Sequence, residues 1–343
     1  MSIKKKVFGV VDGKTIYKVT ITNGNIFVDL INYGARIISL RVPNKKDELV
    51  DIVAGYNTLE EYVSNFGYAG ATVGRVAGRI ENGKFNLNEK TYQCSQNQKG
   101  HTLHGGISGF DKKVWEIDEN TSNESKVVFH YISIDGEEGF PGTLNVKVIY
   151  SLTKDNSFRI EYEGFCDADT IVGLMNHSYF NLGGDGSGNI YDTEIQILSN
   201  KIALTNSNGV VDGRTLHTDD TIYDFKKLRK IGNINNLCFH DGANTYDINY
   251  IFDNTYKKVA VAFNRSNGII MEIFSDAEGM QFYVPKVLRR KCKNGNEFCE
   301  HDLFCFETQR IPNSINCDNF SSPILKRNEN YYSVSEYKFK KYS

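Results

Sequence analysis

The sequence predicts a predominantly antiparallel all-β fold of the sandwich or barrel type, and three observations carry that reading. Short runs rich in β-branched and aromatic residues recur along the chain. Asn-Gly and Asp-Gly pairs separate them, supplying the left-handed backbone that hairpins need. Long amphipathic helical patterns do not alternate with the runs, so helices should be few and short.

In chain order, Asn23-Gly24 gives a strong turn signal. The best helix candidate is 58–63, Thr-Leu-Glu-Glu-Tyr-Val, in which Thr58 can cap and Glu61 stands three positions on. After the turn at Asn82-Gly83 come strands at 126–133, 144–150 and 158–162, with Asp135-Gly136 between the first two. Further strands are expected at 194–197, 259–263, 269–274 and 280–284, with turns at Asn208-Gly209, Asp212-Gly213 and Asn267-Gly268. Period-two alternation in several runs gives each one buried and one wet or site-facing side. No Pro/Ser-rich linker, low-complexity tract or fixed-period repeat divides the chain.

At 343 residues and 38.8 kDa the chain can bury a large core, and an all-β sandwich absorbs such a length as one unit. A net charge of -2 and a pI near 6.4 give no field to attract nucleic acid or an anionic membrane. No run approaches the roughly 18 apolar residues of a membrane span. The N-terminus is basic, but Asp12, Lys14 and Lys18 interrupt any signal-like apolar stretch, so a soluble, cytoplasmic protein is expected. Seven scattered cysteines read as reduced thiols. The group Cys292, Cys299, Cys305 and His301 lacks the short pairing of a zinc motif, and no metal is assigned. Residues 286–293 are locally basic, as a solvated hairpin tip or a phosphate-binding patch would be.

The chemistry concentrates in Asn176-His177-Ser178-Tyr179-Phe180-Asn181-Leu182, a strand-like run holding an imidazole, and in Phe306-Glu307-Thr308-Gln309, which holds a lone acid. A histidine titrating near neutrality and a carboxylate base can move protons in opposite directions within one pocket. His104 precedes the pair Gly105-Gly106, where a ligand can approach the backbone, although a structural role competes. His101, three residues before it, has no helical context that would make the two a metal face. Arg75 and Arg79 offer guanidinium donors, one of them expected in an ordinary salt bridge. Asp247 suits two adjacent hydroxyls or a turn cap.

Taken in order, these segments resemble the aldose 1-epimerase (galactose mutarotase) family. The resemblance runs through 31–37 (INYGARI), 74–80 (GRVAGRI), 103–106 (LHGG) with 109–112 (GFDK), 136–142 (GEEGFPG), 176–182 (NHSYFNL), 279–283 (GMQFY) and 307–309 (ETQ). It implies a large single-domain antiparallel β-sandwich over 1–343, a galactose mutarotase-like supersandwich with an open sugar cleft. It further implies a cofactor-independent isomerase with His177 as general acid and Glu307 as general base. Arg79, His104, Asp247 and Gln281 would hold the ring, with Gly78 beside them and Tyr179 or Phe282 packing an apolar sugar face. The family usually carries Asn before the arginine where this chain has Gly78, which would remove one amide contact. Ser321 and Arg327 stand where the family usually has proline, a change of loop stiffness below about 1 kcal/mol.

The mechanism so implied opens the hemiacetal, turns C1–C2 and recloses the ring, and it requires His177 to be substantially protonated through a neighbouring carboxylate or a bond to its second nitrogen. The partner is a monosaccharide, galactose or glucose, bound by a monomer or homodimer. Competing readings are a hexose-6-phosphate mutarotase using 286–293, a non-catalytic sugar-binding protein, and a glycosidase pairing Asp247 with Glu307.

Overall fold

Period-two alternation sets the layers of the fold. Along Leu144–Leu152 every second residue is buried and the intervening ones face outward, as a sheet with one core face requires. The computed structural model describes residues 4–64, 67–239, 244–286, 291–293, 295 and 297–342. Among these, three large antiparallel sheets hold most of the strands.

The first sheet takes the N-terminal strands in sequence order: Lys5–Val11, Lys14–Thr22, Phe27–Ile31, Arg36–Pro43 and Leu49–Asp51. The second has nine strands, in the order Glu116–Ile117, Lys126–Ser133, Leu144–Leu152, Ser157–Cys166, Asn330–Lys341, Ile269–Ser275, Lys257–Asn264, Glu194–Ile197 and Arg229–Lys230. The third orders Val211–His217, Lys201–Thr205, Asp247–Ile251, Gly279–Tyr283 and Cys305–Gln309. None closes into a barrel, and their inner faces share one apolar cluster. Val28 and Leu40 from the first sheet, Val146 and Ile160 from the second, and Tyr250 and Phe282 from the third all belong to it. Each such side chain stabilises the fold by about 1.5–3 kcal/mol relative to exposure. The single tryptophan, Trp115, lies in this cluster with no exposed surface, its Nε1 donating to Phe110 O at 3.2 Å.

The expected strands form, with ends shifted by a few residues. The helix is Leu59–Ser64, and its capping box is complete: Glu61 N donates to Thr58 Oγ1, and Glu61 Oε2 accepts from Thr58 N. Four of the turn signals sit between paired strands, but Asn82-Gly83 lies in a 3-10 turn and Asp212-Gly213 lies inside Val211–His217. The latter strand pairs irregularly, its register shifting between Ala203 and Thr205 of its neighbour. Of the histidine run only Asn176 and His177 are strand, within Met175–His177, because that strand meets the three-residue partner Ala71–Val73 and nothing longer.

Three expectations about charged residues are corrected. Arg75 is buried as a structural residue, but its bonds go to Ser133 Oγ and to the carbonyls of Ser133, Ile134 and Pro141 rather than to a carboxylate. Arg327 does more than relax a loop: its backbone N–H donates to Asp169 Oδ1 at 2.8 Å, a bond that proline cannot make. Within the basic segment 286–293, residues 287–290 lie outside the described residues. Lys293 is turned inward, its Nζ donating to Ile38 O, Val53 O and Asp51 Oδ2 at 3.0, 2.8 and 2.7 Å.

Candidate active site

The third sheet supplies one wall of the site through its register. Asn249 pairs with Gln281 and Gln281 with Glu307, so three polar side chains form a row across adjacent strands. Asp247, Tyr283 and Cys305 form the next row on the same face. The intervening Ile248, Phe282 and Phe306 point into the core, so Phe282 is excluded as a sugar-stacking ring.

His177 is brought opposite by the short Met175–His177 strand. Its carbonyl accepts from Gly70 N at 2.9 Å, and the neighbouring Asn176 Nδ2 donates to Gly70 O at 2.8 Å. The ring lies between Tyr179, with centroids 4.8 Å apart and planes at 23°, and Tyr68, at 5.6 Å and 17°. Its Nε2 is 3.4 Å from Glu307 Oε1, and Cys305 Sγ lies 3.9 Å from its Nδ1.

The opposite wall is built on backbone turns. His104, Gly105 and Gly106 all have positive φ, and a Cβ on Gly105 would come 1.7 Å from Gly74 O, so glycine is required there. Gly78 N donates to His104 Nδ1 at 3.1 Å while His104 N donates to Gly78 O at 3.0 Å. The first bond assigns the neutral tautomer with its proton on Nε2, leaving a donor for the cavity. Gly78 itself has φ +74°, and a Cβ there would meet Pro312 at 2.6 Å. Arg79 is aimed by Nε donating to Gln98 Oε1 at 2.7 Å and Nη1 to Gly209 O at 3.1 Å.

Gln281 is engaged at both ends: it accepts from Asn249 Nδ2 at 3.2 Å and donates to Asp247 Oδ1 at 2.6 Å. Asp247 therefore presents its carboxylate from the start of a strand and, among the described residues, caps no turn.

These walls enclose a cavity of about 540 Å³, within the range of small-molecule sites. His177, Glu307, Arg79, His104, Asp247, Gln281, Gly78 and Tyr179, all named from sequence, line it. Tyr68, Gln98, Asn249, Tyr283 and Gln309 line it too and were missed. For Asn249, Tyr283 and Gln309 a signal existed, since each stands two residues along a strand from a named residue and so shares its face. Among the described residues, none of the lysines of the basic segment is in the lining.

Burial dominates the electrostatics. It pushes His177 down to about 3, with a smaller contribution from Arg36, against a bond to its own backbone that raises it. Burial, then the charge of Asp247, push Glu307 well above the ordinary carboxylate range, while Arg79 and the Cys305 thiol pull it down. His104 falls well below its ordinary value through burial, His177 and Arg79. The expected carboxylate neighbour of His177 is present, but desolvation outweighs it. The ligand-free pair is thus biased toward a neutral imidazole facing a protonated carboxyl.

The family profile described as Aldose 1-epimerase matches residues 17–338. Galactose mutarotase of Mus musculus is 34% identical over 346 residues, covering 99% of each chain. Aldose 1-epimerase of Haemophilus influenzae is 32% identical, covering 98% of this chain and all of its own. Among solved structures, an aldose epimerase homologue from C. elegans aligns with a TM-score of 0.87 at 24% identity, over 95% of this chain and 99% of that one. A galactose 1-epimerase from Lactobacillus acidophilus aligns with a TM-score of 0.86 at 22% identity over 99% of both, which shows the shared fold.

Proposed function

The chain belongs to the aldose 1-epimerase family, and from that membership we propose that Glu307 and His177 are the two groups moving protons in its reaction. The enzyme is a cofactor-independent isomerase that interconverts the α and β anomers of a hexose, galactose or glucose. Supporting the assignment is the approach of His177 Nε2 to within 3.4 Å of Glu307 Oε1 in a cavity with room for a monosaccharide.

The pair needs only one proton between its two members. In the charged form, Glu307 accepts the proton of the C1 hydroxyl while the His177 Nε2–H donates to the ring oxygen, and the C1–O5 bond breaks. The pair is then neutral and the sugar is an open aldehyde. Rotation about C1–C2 presents the other carbonyl face, and the reverse transfers close the ring as the opposite anomer. Burial disfavours the charged pair, so it raises the starting state of ring opening relative to its product. The free enzyme need not hold a protonated histidine, because passing the Glu307 proton to His177 Nε2 across their 3.4 Å contact generates the charged pair once sugar is bound.

Arg79, the Nε2–H of His104 and Asp247 hold hydroxyls remote from C1, so that the ring is fixed while C1 turns. Gln281 fixes the direction of Asp247, and Tyr179 lies flat against His177. An acid and a base each contributing about 10² to 10⁴-fold, roughly 2.7–5.5 kcal/mol apiece, suffice for a reaction that sugars undergo unaided. We assign the protein to the cytoplasm; no helix of the described residues is long and apolar enough to cross a membrane.

Polarimetry on freshly dissolved α-D-galactose, α-D-glucose and glucose 6-phosphate tests this reading. Accelerated mutarotation of a free hexose is expected. Sugar binding in calorimetry with no change in the polarimetric rate would refute it.

A further inference from the structure

Beneath the cavity floor, Cys305 joins the proton-transfer pair. Its Sγ lies 3.9 Å from His177 Nδ1, and Glu307 Oε1 lies 3.4 Å from Nε2. With one ring nitrogen taken, the nitrogen, sulfur and carboxylate oxygen all fall within 4.8 Å of one another, the one cluster of this kind among the described residues. Cys305 and Glu307 stand two apart on one strand and so share its face.

Thiolate, imidazole and carboxylate are the ligand types of zinc-class ions, bound at about 2.0–2.3 Å in tetrahedral geometry. Such a site spaces its ligand atoms by about 3.3–3.6 Å, so modest side-chain rotations close the gaps seen here. The set is soft on one side and contains a single carboxylate, which suits zinc-class ions and disfavours Mg²⁺ or Ca²⁺. All three side chains are buried, and two of them line the cavity, which gives an entry path and leaves a coordination position for water.

We propose that His177, Cys305 and Glu307 form a binding site for a thiophilic divalent cation such as Zn²⁺, reached through the sugar cavity and mutually exclusive with sugar. A bound cation takes the Glu307 carboxylate and the His177 ring out of proton transfer, so turnover stops. Without a cation the Cys305 thiol and the Glu307 carboxyl both hold their protons, kept on by burial; coordination displaces both protons to solvent. The inhibitory consequence rests on the proton-transfer roles proposed above, whereas binding itself does not.

The test uses full-length protein carrying Cys238→Ser and Cys299→Ser, which removes the two exposed thiols. Co²⁺ is the optical probe. A near-ultraviolet thiolate-to-cobalt absorption is expected, lost on adding Cys305→Ser and suppressed by saturating galactose. In polarimetry, micromolar Zn²⁺ should slow the parent and a chelator should restore it. Cys305→Ser, compared with its own chelator-treated rate, should need at least about tenfold more Zn²⁺. Absence of the band up to about 1 mM Co²⁺, far above the range of specific sites, overturns the proposal. So does a band that survives Cys305→Ser. The optical arm decides even if the protein turns over no sugar, and galactose suppression in the parent decides even if Cys305→Ser fails to fold.

Discussion

His177 meets a carboxyl at one nitrogen, a thiol at the other and a tyrosine ring on each face, and every one of these neighbours keeps water away. Replacing it with asparagine preserves size and polarity but removes the titrating group. His177→Asn should fold and mutarotate at least about a hundredfold more slowly, as should Glu307→Gln, measured by polarimetry beside circular dichroism. The same burial has a consequence for acid stability. His177 is held near 3 and His104 well below its ordinary value, so below about pH 6.5 the unfolded chain binds protons that the folded chain refuses. The two histidines therefore lower stability as pH drops through that window, by up to about 1.4 kcal/mol per pH unit each, while Glu307, held above its ordinary value by burial, takes its proton first in the folded state and offsets part of that loss. Urea midpoints taken from about pH 7 to pH 5 should decline less steeply in His177→Asn, the difference matching about one proton. An unchanged slope would mean that His177 is not desolvated as described.

The strands Asp247–Ile251, Gly279–Tyr283 and Cys305–Gln309 act together through their register. Glu307 reaches the cavity because it sits opposite Gln281, and Gln281 in turn ties Asn249 to Asp247. Gln281→Met keeps the length and loses both bonds, so Asp247 is free to rotate. KM should rise about tenfold with a smaller change in kcat, the mark of weakened ring binding rather than lost proton transfer. At the Gly78 turn, Ala would bring a Cβ 2.6 Å from Pro312 at a φ of +74°. Gly78→Ala should lower the calorimetric unfolding temperature, at a cost of about 1–3 kcal/mol, and disturb the backbone bond that aims His104. Alternation made the strand-borne site residues readable in advance, including Asn249 and Gln309 had the two-residue step been taken from Asp247 and Glu307. Tyr68 and Gln98 were not readable, because they reach the cavity from irregular segments whose path depends on contacts distant in the chain. The asparagine-to-glycine departure at 78 was visible, but its packing against Pro312, 234 positions later, was not.

At the scale of the whole molecule, the all-β class and its sandwich layering follow from local patterns, whereas the order of strands within each sheet does not. Asn330–Lys341 enters the middle of the nine-stranded sheet between strands that precede it by more than fifty residues, a pairing no local propensity encodes. Lys293 shows the same limit. As sequence it belongs to a basic run, yet in the fold it bridges the third-sheet side of the chain to Ile38, Asp51 and Val53 near the first sheet. Lys293→Met should lower the urea midpoint by the equivalent of about 1–3 kcal/mol, because Ile38 O and Val53 O lose a donor and Asp51 keeps only Ser39 Oγ and Leu40 N. The ratio of turnover on glucose to that on glucose 6-phosphate should not move. A selective loss on the phosphorylated sugar would return Lys293 to substrate recognition.

Trp115 is the only indole in the chain, enclosed in the shared apolar cluster and absent from the cavity lining. Its emission should be blue-shifted in the native state and move to the red as a single reporter when the layers separate. Ligand titrations should leave that emission nearly silent, so fluorescence and optical rotation will report on folding and turnover as separate channels in one cuvette.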